Sequence, residues 1–147
     1  MCGIFGIISS DPIVKKDVNV IIKHSEQRGL DSSGLIHFKD KIYRVDRADH
    51  RIRKLLNKVR PYSSNVILGH SRLITNGLSD NQPVIKDKIC VIHNGIIVNE
   101  KDSWDNIETK KELEIDSELI VAIASEHLSK SNELVDLPRK ILSICRG

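Results

Sequence analysis

The sequence predicts an α+β domain whose sheets are largely antiparallel, and three observations support this prediction. A short apolar run of strand character opens the chain, one helical pattern follows it, and several strand-like runs then precede two further helical patterns. This order is typical of α+β proteins, because regular alternation of strands and helices would instead indicate a parallel sheet. The 147 residues are 39% hydrophobic and 29% charged, a composition that can bury the core of one domain.

The first elements are a strand and a helix. Ile4 to Ile8 is apolar and interrupted only by Gly6, which predicts a buried strand. Asp11 and Pro12 then predict a helix start, with Asp11 as the N-cap and Pro12 in the first turn. This helix is expected to end near Arg28-Gly29, and its apolar face consists of Val14, Val18, Ile21 and Ile22.

The following region has mostly strand character. Leu35 to Phe38 and Ile42 to Val45 are joined by a polar turn and predict a hairpin, and Arg51 to Val59 predicts a short basic helix. Val66 to Arg72 predicts a strand that leads into a polar loop. The later elements are an apolar pair of runs around the turn dipeptide Asn94-Gly95 and two helices, predicted over Ser117 to Leu128 and Asp136 to Cys145.

Composition excludes several classes of function. The net charge of +3, from 23 basic and 20 acidic residues, is too small to indicate a nucleic-acid surface. The chain contains no apolar run approaching the roughly 20 residues that span a bilayer, and its N-terminus lacks the pattern of a secretory leader. Three cysteines without short spacing predict neither a disulfide framework nor a metal site, and the histidines show no metal-ligand spacing. We therefore expect a cytoplasmic protein with no metal and no organic cofactor.

Cys2 is the first candidate for chemistry. If Met1 is removed, the thiol and a free α-amine lie on the same residue, which can then supply both nucleophile and base. The amine titrates at about 7.7–8.0 and the thiol at about 8.5, so both are close to their active forms near neutral pH. A cysteine at position two can arise by chance, but Gly3, Gly6 and the apolar residues around them predict a tightly packed N-terminus.

Three other positions fit a site for acyl transfer on an amino acid. Asn94 and Gly95 could be a plain turn, but that turn would also present an amide and a backbone N–H as an oxyanion hole. Arg72 could be a surface ion pair, and it could equally bind a substrate carboxylate through its planar fork. Asp116 is a predicted N-cap of the helix that follows, and its carboxylate could also bind an ammonium group.

Taken together, these residues resemble the class II glutamine amidotransferases, the N-terminal-nucleophile group. Five blocks occur in the order found in that family, and together they are far more specific than any one alone. They are Met1-Cys2-Gly3-Ile4-Phe5-Gly6, Gln27-Arg28-Gly29-Leu30-Asp31-Ser32-Ser33-Gly34, Gly69-His70-Ser71-Arg72, His93-Asn94-Gly95-Ile96-Ile97 and Asp116-Ser117-Glu118.

The resemblance implies a four-layer αββα sandwich that hydrolyses L-glutamine to glutamate and ammonia. It implies Cys2 as the nucleophile, with Asn94 and Gly95 as the oxyanion hole. The glutamine carboxylate would lie on Arg72 and its amine on Asp116. Two further residues have implied supporting roles, one enclosing the substrate and one in the block that supports the nucleophile: Thr75 and Arg28.

The motifs favour the branch of glucosamine-6-phosphate synthase, and other branches remain open. The block from Arg28 to Gly34 matches that branch, whereas Leu73 and Asn76 depart from it. An asparagine-synthetase-like or phosphoribosyl-amidotransferase-like acceptor, and a catalytically silent binding domain, are the alternatives. The chain is short for the family, so we expect residues 1–147 to be an incomplete glutaminase domain. It would pass ammonia to a synthase domain, fused or separate, through which the protein would also oligomerise.

Overall fold

A computed structural model describes residues 2–74, 80–130 and 133–147 of the chain. These residues form two compact units. The first contains residues 2–74 with the segments Asn81–Pro83 and Ile92–Asn94, and the second contains Asp80, Val84–Val91, 95–130 and 133–147. Every strand pair in the described part of the chain is antiparallel, which confirms the predicted class.

The first unit is built on a four-stranded sheet. Its strands are β1 (Gly3–Ile8), β2 (Ser32–Lys39), β3 (Ile42–Ala48) and β4 (Val66–Arg72), in the spatial order β1-β4-β2-β3. The chain therefore starts in an edge strand, and its only strand partner in this sheet is β4, more than sixty residues later. The position of the N-terminal residues thus depends on a long-range pairing.

Two helices cover one face of this sheet, α1 (Lys15–Glu26) and α2 (Ile52–Val59). Strand residues alternate between the two faces, so only every second side chain reaches the helices. The core formed in this way is fully apolar, and its buried members are Phe5, Ile13, Val18, Ile22, Leu35, Ile52, Leu55, Leu56 and Ile67. The predicted α2 and β4 are confirmed nearly to the residue.

The start of α1 differs from the prediction. The helix begins at Lys15, and its N-cap position is Val14, so Asp11 is not the cap. The reason is Ile13, which is only 3% exposed and whose N–H donates to the Ser64 carbonyl oxygen at 2.9 Å. Burying that side chain in the core keeps the preceding segment out of the helix.

The predicted hairpin between β2 and β3 is confirmed. Asp40 and Lys41 form its two-residue turn and have φ values of 54° and 65°. Positive φ at both positions matches the right-handed twist of the strands on either side.

The second unit joins a short hairpin to helices. It contains β5 (Val84–Lys86), β6 (Ile89–Val91), α3 (Glu100–Ser103), α4 (Ser117–Ser129) and α5 (Leu137–Ile144). The β5–β6 hairpin and α5 pack against α4. As a result α4 is buried on most of its circumference, including Leu119, Val121, Ala122, Ile123 and Ala124.

The predicted hairpin around Asn94-Gly95 is wrong. β6 ends at Val91 and pairs with β5, and no strand follows Gly95 among the residues that the structure describes. On either side of Asn94-Gly95, backbone N–H groups donate to side-chain oxygens instead of to a neighbouring strand. The His93 N–H donates to Gln82 Oε1 at 2.7 Å, and the Ile97 N–H donates to Asp116 Oδ2 at 2.9 Å.

Candidate active site

The register of β1 on β4 places Cys2 across from Arg72. Gly3 pairs with Ser71, so the residue before Gly3 lies opposite the residue after Ser71 in the antiparallel ladder. Since Phe5 on β1 belongs to the core beneath the helices, the alternating residues Cys2 and Arg72 lie on the other face of the sheet. Arg72 is 3% exposed, so a carboxylate that reached its guanidinium would be bound out of water.

Asn94 contacts the nucleophile residue directly. The backbone nitrogen of Cys2 donates to Asn94 Oδ1 at 3.0 Å, across 92 residues of sequence. An amide that accepts through its oxygen keeps its NH2 group as a donor. The Asn94 side chain is exposed, so this NH2 group is accessible to a ligand at Cys2. Two of the predicted catalytic residues are therefore in contact.

The segment before Asn94 is held by Gln82. This side chain is 4% exposed, and its Oε1 accepts the His93 N–H. The backbone of Gln82 in turn lies so close to Gly34 in β2 that a Cβ at Gly34 would clash with the Gln82 carbonyl oxygen. Gly34 thus permits the close approach that brings Asn94 to the sheet.

The block from Gln27 to Gly34 supports the end of β4. A Cβ at Gly29 would clash with the backbone of Arg72, and the Asp31 N–H donates to the Arg72 carbonyl oxygen at 3.0 Å. Asp31 Oδ2 accepts the Ile74 N–H at 2.9 Å. These contacts fix both neighbours of Leu73, whose carbonyl oxygen lies 3.6 Å from Cys2 Sγ. The residues of this block therefore contact the backbone at the end of β4, and that backbone in turn contacts the Cys2 thiol.

A cavity of about 460 Å³ opens beside Cys2. Its polar lining includes Asn94 and three residues of the α1 region, His24, Ser25 and Arg28. Arg28 was predicted to support the nucleophile, and its place in this lining brings a cation to the same cavity as the thiol. His24 was not predicted, since a single exposed histidine on a helix gives no sequence signal.

His70 lies on the same face of β4 as Arg72 and is fully buried. Neither ring nitrogen makes a hydrogen bond within the described part of the chain. Burial, followed by the charges of Arg72 and His93, lowers the pKa of His70 from 6.5 to about 4, although the His93 backbone opposes this. A neutral imidazole with so low a pKa is a weak base.

The second unit contains the two remaining predicted residues that are described, Gly95 and Asp116. Asp116 is 6% exposed and stands at the N-cap position of α4, as predicted, but its carboxylate makes no capping hydrogen bond. Asp116 Oδ2 instead accepts the Ile97 N–H, two residues after Gly95. Asp116 thus fixes the segment that carries the Gly95 N–H. The predicted Thr75 lies outside the described residues.

Among the described residues, the cysteines and other polar groups form neither a disulfide nor a metal site. Within the described residues, none of Cys2, Cys90 and Cys145 forms a disulfide, and burial raises the pKa of Cys145. Within residues 2–74, 80–130 and 133–147, no group of three or more histidine, cysteine or acidic side chains is placed to hold a metal. In the same part of the chain, no helix has the length and apolar character that crossing a bilayer requires.

The comparisons with known proteins agree with this geometry. No family model matches the chain. It is 28% identical to a glutamine–fructose-6-phosphate aminotransferase (isomerizing) of Bradyrhizobium diazoefficiens, over 100% of this chain and 25% of the relative. It is 34% identical to the same-named protein of Buchnera aphidicola, over 90% of this chain and 23% of that one. The predicted resemblance to the class II glutamine amidotransferases is confirmed.

A solved structure extends the comparison to the fold. The glutamine phosphoribosylpyrophosphate amidotransferase of B. subtilis, in complex with ADP and GMP, matches 99% of this chain with a TM-score of 0.76 and 22% identity. The match covers 33% of that protein. It confirms the N-terminal-nucleophile amidotransferase fold. The chain spans about a quarter of the length of the aminotransferases it resembles.

Proposed function

We propose that residues 1–147 form a glutaminase domain that releases ammonia from L-glutamine through Cys2. The observation that supports this most directly is the hydrogen bond from the Cys2 nitrogen to Asn94 Oδ1 at 3.0 Å. It joins the candidate nucleophile to the candidate oxyanion donor, on the face of the sheet that also carries Arg72. Glutamine supplies a carboxylate for Arg72 and a side-chain amide for Cys2.

The α-amine of Cys2 is the proposed base, once Met1 has been removed. Asn94 Oδ1 would hold one N–H of that amine, which leaves the nitrogen lone pair to take the proton of the thiol. The thiolate then attacks the glutamine Cδ, and the oxygen charge is stabilised by the Asn94 NH2 group and the Gly95 N–H. The carbon–nitrogen bond breaks, and the proton held by the amine leaves with ammonia.

Water completes the reaction. It attacks the γ-glutamyl thioester, the carbon–sulfur bond breaks, and glutamate and the free thiol are formed. No redox partner is needed: the original thiol proton leaves with ammonia, and a proton of the attacking water replaces it on the thiol. Asp116, which lies in the second unit, is proposed to bind the substrate ammonium, and Thr75 to enclose the substrate. Arg28 is proposed to support the nucleophile from the cavity beside it.

The ammonia is proposed to pass to a synthase domain outside these 147 residues, in a pathway of aminosugar synthesis. The names of the aminotransferase relatives and the fraction of them that this chain covers support that assignment. An acceptor of the phosphoribosyl or asparagine-synthetase type is the alternative. We propose a cytoplasmic location, because three cysteines without short spacing do not indicate a disulfide framework, and oligomerisation through the synthase domain.

A glutamine-like diazoketone tests the proposal, because it alkylates a thiol only where glutamine binds productively. We expect a single adduct on Cys2 and none on Cys90 or Cys145, together with ammonia release that is lost in Cys2→Ser and kept in Cys90→Ser. Intact mass reports whether Met1 is absent. Label on another cysteine, or full turnover by protein that retains Met1, would refute the mechanism. Glutamine binding without turnover would favour a silent binding domain.

A further inference from the structure

A buried pair of serine hydroxyls lies directly behind the nucleophile. Ser25, near the end of α1, is 4% exposed, and Ser71, on β4, is fully buried. Their Oγ atoms are 2.8 Å apart, and Ser25 Oγ is 3.1 Å from the Gly3 carbonyl oxygen. Gly3 follows Cys2 in the chain and pairs with Ser71 in the sheet. The hydroxyls therefore join the end of a helix and two strands within one residue of Cys2.

Counting protons fixes the direction of this chain of hydrogen bonds. The Gly3 carbonyl can only accept, so the single proton of Ser25 is used there. Ser71 must then donate to Ser25 Oγ. Hydrogen bonds in such a series polarise one another, and here they do so in a site from which water is excluded. The series of hydrogen bonds therefore runs from Ser71 through Ser25 to the carbonyl oxygen of Gly3, the residue next to the nucleophile.

The packing around Gly3 shows that this contact is tight. A Cβ at Gly3 would clash with both the backbone and the hydroxyl of Ser25. The Ser25 carbonyl oxygen also accepts the Arg28 N–H at 3.0 Å, so the same residue ends the helical segment before Arg28. β1 is an edge strand of the four-stranded sheet, and its outer side has no strand partner among the described residues. Ser25 thus holds β1 at the end where Cys2 lies.

We propose that Ser25 and Ser71 are positioning residues for the Cys2 nucleophile. The proposal rests on the proposed glutaminase function. Ser25 lines the cavity beside Cys2, but the described hydrogen bonds of the two hydroxyls lead to each other and to Gly3, not to the thiol. Their effect is to fix the Gly3 carbonyl, and through it the direction in which the Cys2 side chain and amine leave the sheet. Because acyl transfer depends on the attack geometry, a small loosening of this residue lowers the rate of attack and leaves glutamine binding unchanged.

The test compares Ser25→Ala with Ser64→Ala. Ser64 is an equally buried hydroxyl, 2% exposed, and it donates to the Val66 carbonyl oxygen at 2.6 Å at the far end of β4. Both variants lose a buried hydroxyl that donates to a backbone carbonyl. Ser64 Oγ also accepts the Phe38 and Val66 N–H groups. Ser64→Ala should therefore lower the melting temperature at least as much as Ser25→Ala does. For Ser25→Ala we expect kcat to fall by roughly tenfold to a hundredfold with KM unchanged. Ser64→Ala should keep the kcat of the parent.

Two more variants sharpen the result. Ser25→Cys retains a weak donor of similar size and should recover part of the lost kcat. The loss in Ser25→Ala combined with Ser71→Ala should be smaller than the product of the single losses, since both act through one series of hydrogen bonds. Equal kcat in Ser25→Ala and the parent, or equal losses in Ser25→Ala and Ser64→Ala, would overturn the proposal.

The experiment also separates this proposal from the function on which it rests. If the parent neither turns over glutamine nor takes the diazoketone at Cys2, the glutaminase proposal fails. Amide hydrogen exchange then still tests the positioning role. Faster exchange in β1 for Ser25→Ala, with no such change for Ser64→Ala, would support it, and equal exchange in the two variants would overturn it.

Discussion

The buried imidazole of His70 makes the stability of the fold depend on pH. Its pKa is about 4 in the folded chain, against 6.5 for an exposed histidine, chiefly because the ring is cut off from water. Between these values the unfolded chain binds a proton that the folded chain does not. Stability contributed by the neutral ring is therefore complete above pH 6.5 and is lost as the pH falls toward 4.

The size of this loss follows from the shift. Lowering the pKa of His70 from 6.5 to about 4 corresponds to roughly 3 kcal/mol of the free energy of unfolding. About 2 kcal/mol of this should be lost between pH 7 and pH 5. A small domain with a typical stability of about 5–15 kcal/mol would lose a substantial fraction of it over this range. Urea unfolding at a series of pH values, followed by circular dichroism, measures the effect.

His70→Leu removes the titrating group and should flatten this part of the curve. It also removes the cost of keeping a buried ring neutral below pH 6.5, so the variant should be as stable as the parent, or more so, near pH 5. Leu68→Ala, two residues earlier on the same strand face, is the matched control. It should lower stability by the same amount at every pH. Parallel curves for the parent and His70→Leu would refute the reasoning.

Two further predictions concern the substrate clamp and the close approach at Gly34. Arg72→Lys keeps the charge but loses the fork, and Asp116→Asn loses the charge, so each should weaken glutamine binding by roughly 1–3 kcal/mol in calorimetric titration. Binding at the level of the parent in both variants would disprove the clamp. Gly34→Ala should destabilise the fold by about 1–3 kcal/mol, because its Cβ meets the backbone of Gln82. Gly6→Ala meets only the end of a leucine side chain and should cost less, and equal losses in urea unfolding would contradict this account.

Elements with strong local signals could be predicted from the sequence. The β2–β3 hairpin has polar turn residues between two apolar runs, so its turn is placed correctly, although each strand is longer than predicted. The bounds of α2 and β4, which have clear periodicity, agree with the structure. The start of α1 could not be predicted, because burial of Ile13 in a distant core outweighs the helix-start signal at Asp11. The apolar face predicted for α4 was likewise too narrow, because β5, β6 and α5 pack around most of the helix.

For the site, the sequence motifs predicted candidate residues but not the contacts between them. Asn94 was predicted through a turn dipeptide, yet it lies in an irregular segment held by Gln82 rather than at the tip of a hairpin. The Asn94-Gly95 dipeptide gives no information on the buried Gln82 side chain that holds this segment. Ser25 and His24 were not predicted either, because their importance depends on a strand that packs against α1 only after folding.

The contact between Cys2 and Asn94 also sets a time order during synthesis. The nitrogen of Cys2 cannot reach its acceptor until residue 94 has left the ribosome, and β1 cannot pair until β4 exists. At usual rates of translation this takes on the order of ten seconds. During that interval β1 has no strand partner, so the proposed removal of Met1 does not have to displace a folded strand. Folding then brings the Cys2 nitrogen to Asn94, and under the proposed mechanism maturation and the assembly of the nucleophile follow one another along the growing chain.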